Sequence, residues 1–264
     1  MTDHWLGLAG MTAVVTGAAG GMGRAIALSF VAAGASVALL DRDAEGCSQL
    51  AAQINGAGGR AAPFGCDTAS QASIAAAATG VRRDLGGVNI LVNNAGILRP
   101  GSLADIGLEQ WNALLAVNLT GYLLCAQAFR PSMLAAGGGA LVHIASVAAS
   151  NPQPRSGAYS ASKAGVAMLS RQLALEWGPE GFRSNIVSPG FIRTPMSESF
   201  YQAPGVKEQR EAMVPSRRIG TAQDIADAVL FLASPRASYV NGGEILVDGG
   251  VDQVMMELAP RPGF

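Results

Sequence analysis

Tyr159-Ser160-Ala161-Ser162-Lys163 is the stretch of this sequence whose residue types and spacing could do chemistry. It falls inside a helical pattern running from about Gly157 to Gly178. Residues four apart on an α-helix lie on one face, about 40° apart around the axis. The Tyr159 phenol and the Lys163 ammonium are therefore expected to point the same way. A phenol with an ordinary pKa of about 10 is a poor acid or base at neutral pH. A neighbouring cation favours the phenolate and lowers that value. A tyrosine tuned in this way could exchange a proton with a carbonyl or carbinol oxygen. Taken alone, Tyr-x-x-x-Lys is also an ordinary amphipathic pair, so its meaning depends on what the rest of the chain places around it.

The elements that must position the pair alternate along the whole chain. Short apolar runs suited to buried strands fall at residues 12–16, 36–40, 60–65, 88–92, 140–144, 182–187 and 244–247. Helical patterns lie between them, at about 24–33, 44–55, 69–84, 109–135, 157–178 and 222–233. Strands that are apolar on both faces and alternate with helices predict a parallel sheet covered on each side. Right-handed crossovers make this a Rossmann-type, doubly wound α/β fold of about seven strands. No linker, repeat or low-complexity tract interrupts it, so residues 1–264 are expected to form one domain. It would carry an irregular lid at about 191–215, with one or two short helices in it, and a C-terminal tail at 251–264.

Gly17, Gly21 and Gly23 sit between the first strand and the first helix, with Met22 among them. Glycine lets the backbone turn tightly and approach a pyrophosphate, which a helix N-terminus attracts. A triphosphate loop requires Gly-Lys-Ser/Thr, but Arg24 and Ala25 follow Gly23, so that reading fails. Asp41 ends the second strand, roughly 20 residues beyond the turn. A carboxylate there can accept hydrogen bonds from an adenosine ribose and repels a 2′-phosphate, which favours NAD over NADP. Arg42 is the counter-signal.

Composition narrows the remaining classes. The chain has 264 residues, 49% hydrophobic and 14% charged, with a formal net charge of -1. No basic excess points to nucleic acid or an anionic membrane. Cys47, Cys66 and Cys125 are scattered and resemble small buried residues of a reducing compartment. His4 and His143 are too few and too far apart to suggest a multi-histidine metal site. The N-terminus lacks a secretory pattern, and the apolar runs are read as too interrupted to span a bilayer, so the expected location is the cytoplasm.

Together these motifs resemble the short-chain dehydrogenase/reductase family, in its NAD-preferring form, from about Met11 to Gly250. The resemblance is carried by Thr16–Gly23, Asn93-Asn94-Ala95-Gly96, Asn118, Ser146, Tyr159 with Lys163, Pro189-Gly190 and Thr194. It implies that Tyr159 is the general acid/base. Lys163 would lower the Tyr159 pKa and bond the nicotinamide ribose. Ser146 would orient the substrate oxygen. Asn118 would join a proton relay through a local break in its helix. The resemblance further implies that Asp67 holds the adenine, that Asn94, Ala95 and Gly96 line the adenosine side, and that Pro189, Gly190, Ile192 and Thr194 cradle the nicotinamide. Gly17, Asp41, Asp67, Asn93, Ser146 and Ser188 each fall just past an expected strand, where sites in open parallel sheets lie. Asn93 is expected to support its turn, His143 to be packed and hydrogen-bonded, and Asp248 to belong to the last turn.

The substrate is read only as an alcohol or ketone. Phe191, Met196, Phe200, Tyr201 and Met213 make the lid apolar, suiting a partly hydrophobic molecule or simply packing the lid down. A 3-oxoacyl thioester reductase is the alternative enzyme, and a non-catalytic nucleotide-binding or scaffold protein the alternative of another class. The resemblance also implies a homotetramer, or a dimer, joined through the helices at 109–135 and 157–178. Ala164, Val166, Ala167, Leu169 and Leu173 are the apolar residues offered for that contact. Val254, Met255, Met256 and Leu258 of the tail are offered for docking on a neighbour.

Overall fold

The computed structural model describes residues 4–258. Seven parallel strands form one sheet: β1 (Thr12–Thr16), β2 (Ser36–Asp41), β3 (Ala61–Gly65), β4 (Ile90–Asn93), β5 (Gly139–Ile144), β6 (Phe182–Pro189) and β7 (Glu244–Val247). Their spatial order is β3-β2-β1-β4-β5-β6-β7. The chain winds outward from β1 in one direction and then from β4 in the other, so the two halves meet at the β1/β4 boundary. Carboxyl ends of strands at such a switch point leave a crevice for ligands.

The strand residues alternate between two cores, as a period of two requires. Val15, Leu39, Val92 and Val142 pack with Ile26, Phe30, Leu50 and Val229 on one face. Val14, Leu40, Leu91 and Leu141 pack with Ile74, Val81, Phe129 and Leu173 on the other. The first layer is built by α1 (Gly21–Ala32), α2 (Ala44–Gly56) and α9 (Ala222–Ala233). The second is built by α3 (Gln71–Leu85), α5 (Gly121–Ala135) and α6 (Tyr159–Trp177). Pro63 lies in β3, an edge strand, where a missing N–H leaves no ladder bond unmade.

Three expectations change. The helix expected at 109–135 is split into α4 (Leu108–Leu115), a π-turn at Ala116–Thr120, and α5. Joined, the 28 residues Leu108–Ala135 are long and apolar enough to cross a bilayer, which the sequence reading had denied. Here Tyr122, Cys125, Phe129 and Met133 of this stretch are buried. The segment 191–215 carries two short helices, as expected there: α7 (Pro195–Tyr201) and α8 (Val206–Met213). Finally, Val166, Ala167 and Leu173 of α6 are buried in the chain's own core. Ala164, also offered for that contact, is exposed, and Met168 and Leu175 continue its exposed apolar stripe. Within the tail, Val251–Leu258 forms 3₁₀ turns. The side chains of Met255, Met256 and Leu258, and residues 259–264, lie outside the described residues.

Candidate active site

Two adjoining cavities open at the carboxyl end of the sheet, one of about 390 Å³ and one of about 280 Å³. Met22, Asn94, Gly96, Thr194 and Met196 line both and make the boundary between them.

The smaller cavity is built from the glycine turn. Gly17 and Gly21 have φ of +67° and +55°, in the left-handed region that favours glycine. A Cβ on Gly23 would stand 2.0 Å from the Gly17 carbonyl oxygen. The turn is therefore compact enough to bring the start of α1 to the cavity wall. Thr16 ties the turn to β4. Its hydroxyl donates to the Val92 carbonyl (3.3 Å) and accepts from the Asn94 and Ala95 amides at 2.9 and 3.0 Å. The Asn94 side chain donates to the Thr16 and Gly17 carbonyls at 2.9 and 3.2 Å. Its Oδ1 is buried without a hydrogen-bond partner among the described residues.

Asp41 faces the same space. Its carboxylate accepts the Ala19 and Asp43 amides, each at 3.1 Å, which holds it at the edge of the turn. Asp67 accepts the Ala69 amide at 3.0 Å and lines the cavity with Cys66 and Thr68. A glycine cradle at a helix start, a fixed carboxylate at the end of β2 and an orphaned buried acceptor fit a dinucleotide.

The larger cavity holds Ser146, Tyr159 and Lys163. Ser146 follows β5 and its Oγ accepts the Ala148 amide at 3.1 Å. Tyr159 opens α6, and Lys163 follows one turn later, with Nζ 5.8 Å from the Tyr159 ring centroid. Lys163 is 3% exposed, and its Nζ donates to the Ile144 carbonyl at 2.8 Å. Asn118, in the π-turn, is locked to the loop after β4. It accepts the Ile97 amide at 2.8 Å and donates to the Ile97 carbonyl at 2.9 Å and to Ser162 Oγ at 3.3 Å. A Cβ on Gly96 would lie 3.6 Å from both Asn118 Oδ1 and Lys163 Nζ, so the three positions surround one small space. The widened turn is where the resemblance placed a break in the helix.

The electrostatics depart from the sequence reading. Burial pushes Tyr159 above its ordinary value, and a hydrogen bond with the Ser146 hydroxyl opposes that rise. Burial also lowers Lys163 to about 7. The expected lowering of Tyr159 by Lys163 is therefore not what the site produces, because Lys163 is buried, Tyr159 is half-buried, and withdrawal from water disfavours the charged form of each.

Pro189, Gly190, Ile192 and Thr194 lie along one wall of the larger cavity. A Cβ on Gly190 would meet Asp248 Cβ at 2.6 Å, so glycine is needed where β6 leaves the sheet. Asp248 accepts the Gly250 and Asp252 amides at 2.9 and 2.7 Å, as a turn residue. Asn93 donates to the Tyr122 carbonyl at 3.0 Å and does not line either cavity. His143 is fully buried between Asn93 and Ser184.

Of the lid residues, Phe191, Met196 and Tyr201 line the cavity and Met213 does not, while the side chain of Phe200 lies outside the described residues. Sequence reasoning missed Asn151, Gln153, Arg210 and Asp252, which also line it. Asn151 donates to Asp252 across 101 positions, a pairing that no local spacing announces. Arg210 stands in a patch of mixed charge, yet its guanidinium lies over the Phe191 and Tyr201 rings at 5.1 and 5.0 Å.

Several proteins similar to this chain in sequence or in structure carry dehydrogenase names. A D-threitol dehydrogenase of Mycolicibacterium smegmatis is 42% identical over 243 residues, 92% of this chain and 93% of that protein. A gluconate 5-dehydrogenase from Burkholderia cenocepacia, solved with NADP and tartrate, is 32% identical with a TM-score of 0.88, covering 92% of this chain and 95% of that one. A 7α-hydroxysteroid dehydrogenase, solved with NADH and 7-oxo glycochenodeoxycholic acid, is 36% identical with a TM-score of 0.89, covering 92% and 94%. The family profile described as enoyl-(acyl carrier protein) reductase matches residues 17–252. With that match spanning both cavities, and relatives aligned over nearly their whole length, the chain belongs to the short-chain dehydrogenase/reductase family.

Proposed function

We propose that this protein is an NAD-dependent dehydrogenase of secondary alcohols, working reversibly on the corresponding ketones. The observation that carries the reading is the joining of the two cavities. The glycine cradle and Asp41 lie in one, Ser146, Tyr159 and Lys163 in the other, and Met22, Asn94, Gly96 and Thr194 form the seam. A bound nicotinamide supplies the hydride acceptor or donor. Gly17, Gly21, Met22 and Gly23 would hold the pyrophosphate, and Asp41 the adenosine ribose. Asp67, Asn94, Ala95 and Gly96 would bound the adenosine half. Pro189, Gly190, Ile192 and Thr194 would bound the nicotinamide half.

Ser146 would donate to the substrate oxygen and Tyr159 would exchange the carbinol proton with it. Asn118 and Lys163 would return that proton toward solvent. A phenol held above its ordinary pKa is protonated at neutral pH, which suits donation to a ketone. Taking a proton from an alcohol calls for the phenolate, so oxidation should rise with pH. The preference for NAD rests on the Asp41 carboxylate at the ribose end. Apolar Phe191, Met196 and Tyr201, with Asn151, Gln153 and Asp252 at other points of the wall, suit a partly hydrophobic molecule that carries further hydroxyls.

Tyr159→Phe should lose about a thousandfold in turnover while still binding NAD. Nicotinamide absorbance over a panel of secondary alcohols and polyols, D-threitol included, reads this directly. Wild-type turnover by that variant would overturn the mechanism.

The assembly is proposed to be a homotetramer or dimer joined through α5 and α6. Leu134 on α5, with Met168 (59% exposed) and Leu175 (79%) on α6, supports this. A monomeric mass by light scattering would remove it. Three buried free cysteines accord with a reducing, cytoplasmic setting.

A further inference from the structure

Lys163 is held from a side that the cavity does not reach. Tyr122, from α5, is 1% exposed and does not line either cavity. Its hydroxyl donates to the Ile144 carbonyl at 3.2 Å. Because that proton is committed, a lone pair of the phenol oxygen is left for Lys163 Nζ, which donates to it at 3.4 Å. Nζ lies 5.3 Å from the Tyr122 ring centroid, on the hydroxyl side of the ring. The ammonium thus rests between the Ile144 carbonyl, at 2.8 Å, and the Tyr122 oxygen.

Tyr122 is itself fixed from behind. Asn93 Nδ2 donates to its carbonyl at 3.0 Å and lies 3.2 Å from His143 Nδ1. The imidazole stacks on the Tyr122 ring at 6.0 Å between centroids and 24° between planes. Burial, with the nearby Lys163 charge, depresses His143 to about 3, so the ring is neutral at working pH. Nδ1 then accepts from Asn93, which leaves Nε2–H to donate to Ser184 Oγ at 3.2 Å. The chain ends on Ser170, 2.9 Å from Ser184. Each member bears a neutral polar group, and together they back the Tyr122 ring and its carbonyl on the side away from Lys163's cavity.

We propose that Tyr122 is a positioning residue for Lys163, keeping the ammonium charged and aimed so that Tyr159 can exchange its proton. The assignment rests on the reading of Tyr159 as the acid/base. A buried ammonium has lost its water, and every well-placed neutral acceptor returns part of that solvation. The titratable groups facing Lys163 are Tyr159 from its own helix, Tyr122 from α5 and His143 from β5. Burial, not a carboxylate, accounts for its lowered pKa. Neutral acceptors are therefore what sustain the charge, and Tyr122 is one of the two that touch Nζ among the described residues. Tyr122 stays a neutral phenol because burial holds its pKa well above the ordinary value.

The test is Tyr122→Phe, which keeps the ring and removes the oxygen. Loss of one hydrogen bond to the ammonium should lower Lys163 by about one pH unit and, through the weakened charge beside Tyr159, move the acid limb of kcat/KM for alcohol oxidation up by as much as that, a loss of up to about tenfold below the limb. NAD affinity should change less than about threefold. The substrate is whichever of D-threitol, 2-butanol and cyclohexanol turns over fastest. An activity-free reading is ultraviolet difference titration of tyrosinate with Tyr159→Phe as the blank, in which the Tyr159 transition should rise in the Tyr122→Phe background. If Tyr122→Phe does not fold, 3-fluorotyrosine at position 122 weakens the acceptor at nearly constant volume and should shift both readings the same way by less. A folded variant with a lowered melting temperature but a wild-type pH profile and titration would show that Tyr122 only packs, and the proposal would fall. If Tyr159→Phe keeps turnover, the acid/base reading falls and takes this assignment with it. If Tyr159→Phe is inactive and Tyr122→Phe is unshifted, this assignment alone falls.

Discussion

Substituting alanine at Gly20, Gly21 and Gly23 in turn should grade the glycine turn by three different costs. At Gly23 a Cβ would lie 2.0 Å from the Gly17 carbonyl oxygen, 2.7 Å from the Gly17 carbonyl carbon and 2.7 Å from Asn94 Nδ2. Two of these are backbone atoms, so relief requires moving the turn itself and breaking the Asn94 bonds that close it onto Thr16 and Gly17. Overpacking of this kind costs about 1–3 kcal/mol, and the rigid neighbours place it at the upper end, which is roughly 100-fold in affinity. Gly21 has room, with its nearest neighbour at 3.6 Å, but its φ of +55° costs a side chain about 1–2 kcal/mol. Gly20 has nothing within 4 Å and an extended φ of -153°, so alanine there should bind NAD within about twofold of wild type. Calorimetric titration with NAD, beside thermal melts to separate binding from folding, reads the series. Equal losses at Gly20 and Gly23, or undiminished NAD binding by Gly23→Ala, would refute the cradle.

Asp41→Asn should raise the NADP-to-NAD ratio of kcat/KM at least tenfold, since it removes a like charge from the ribose end while leaving an oxygen to accept the Ala19 amide. An unchanged ratio would place the discrimination elsewhere. His143 gives a pH dependence of stability. Its folded pKa of about 3 lies below the ordinary value of 6.5, so the unfolded chain binds the proton first and stability is lost as pH falls from about 6.5 toward 3. At pH 5 the loss is about 2 kcal/mol, and His143→Gln should lack that portion. Thermal melts of both proteins from pH 5 to 7.5 test this, and a gap between them that does not change with pH would contradict it.

Much of the site was legible because its parts are local. The glycine turn occupies consecutive residues, Tyr159 and Lys163 share one helical turn, and strand ends mark where Asp41, Asp67 and Ser146 must emerge. Other features needed the fold. Asn151 and Asp252 meet only because the ends of β5 and β7 rise on the same side of the sheet. Arg210 carries no sign in its neighbours that α8 would lay it over Phe191 and Tyr201. Helical spacing marked α6 as apolar around more than one side, but could not say which side the sheet would cover. Packing buried Val166, Ala167 and Leu173 and left Met168 and Leu175 outside.

What the sequence determined by itself, then, is the strand and helix order, the seven-stranded parallel sheet and the residues that come to the carboxyl edge. These follow from periodicity and from backbone demands that act within a few residues. The protonation of Tyr159 and Lys163 belongs to the tertiary structure. Their spacing puts a cation beside a phenol, and an exposed pair of that kind favours the phenolate. The fold instead buries Lys163 and half-buries Tyr159, raising the phenol and lowering the ammonium to about 7. It then brings the Tyr122 oxygen and the Ile144 carbonyl to the ammonium from elements 41 and 19 positions away. Desolvation depends on everything packed around a group, so no local pattern of residue types could supply its sign.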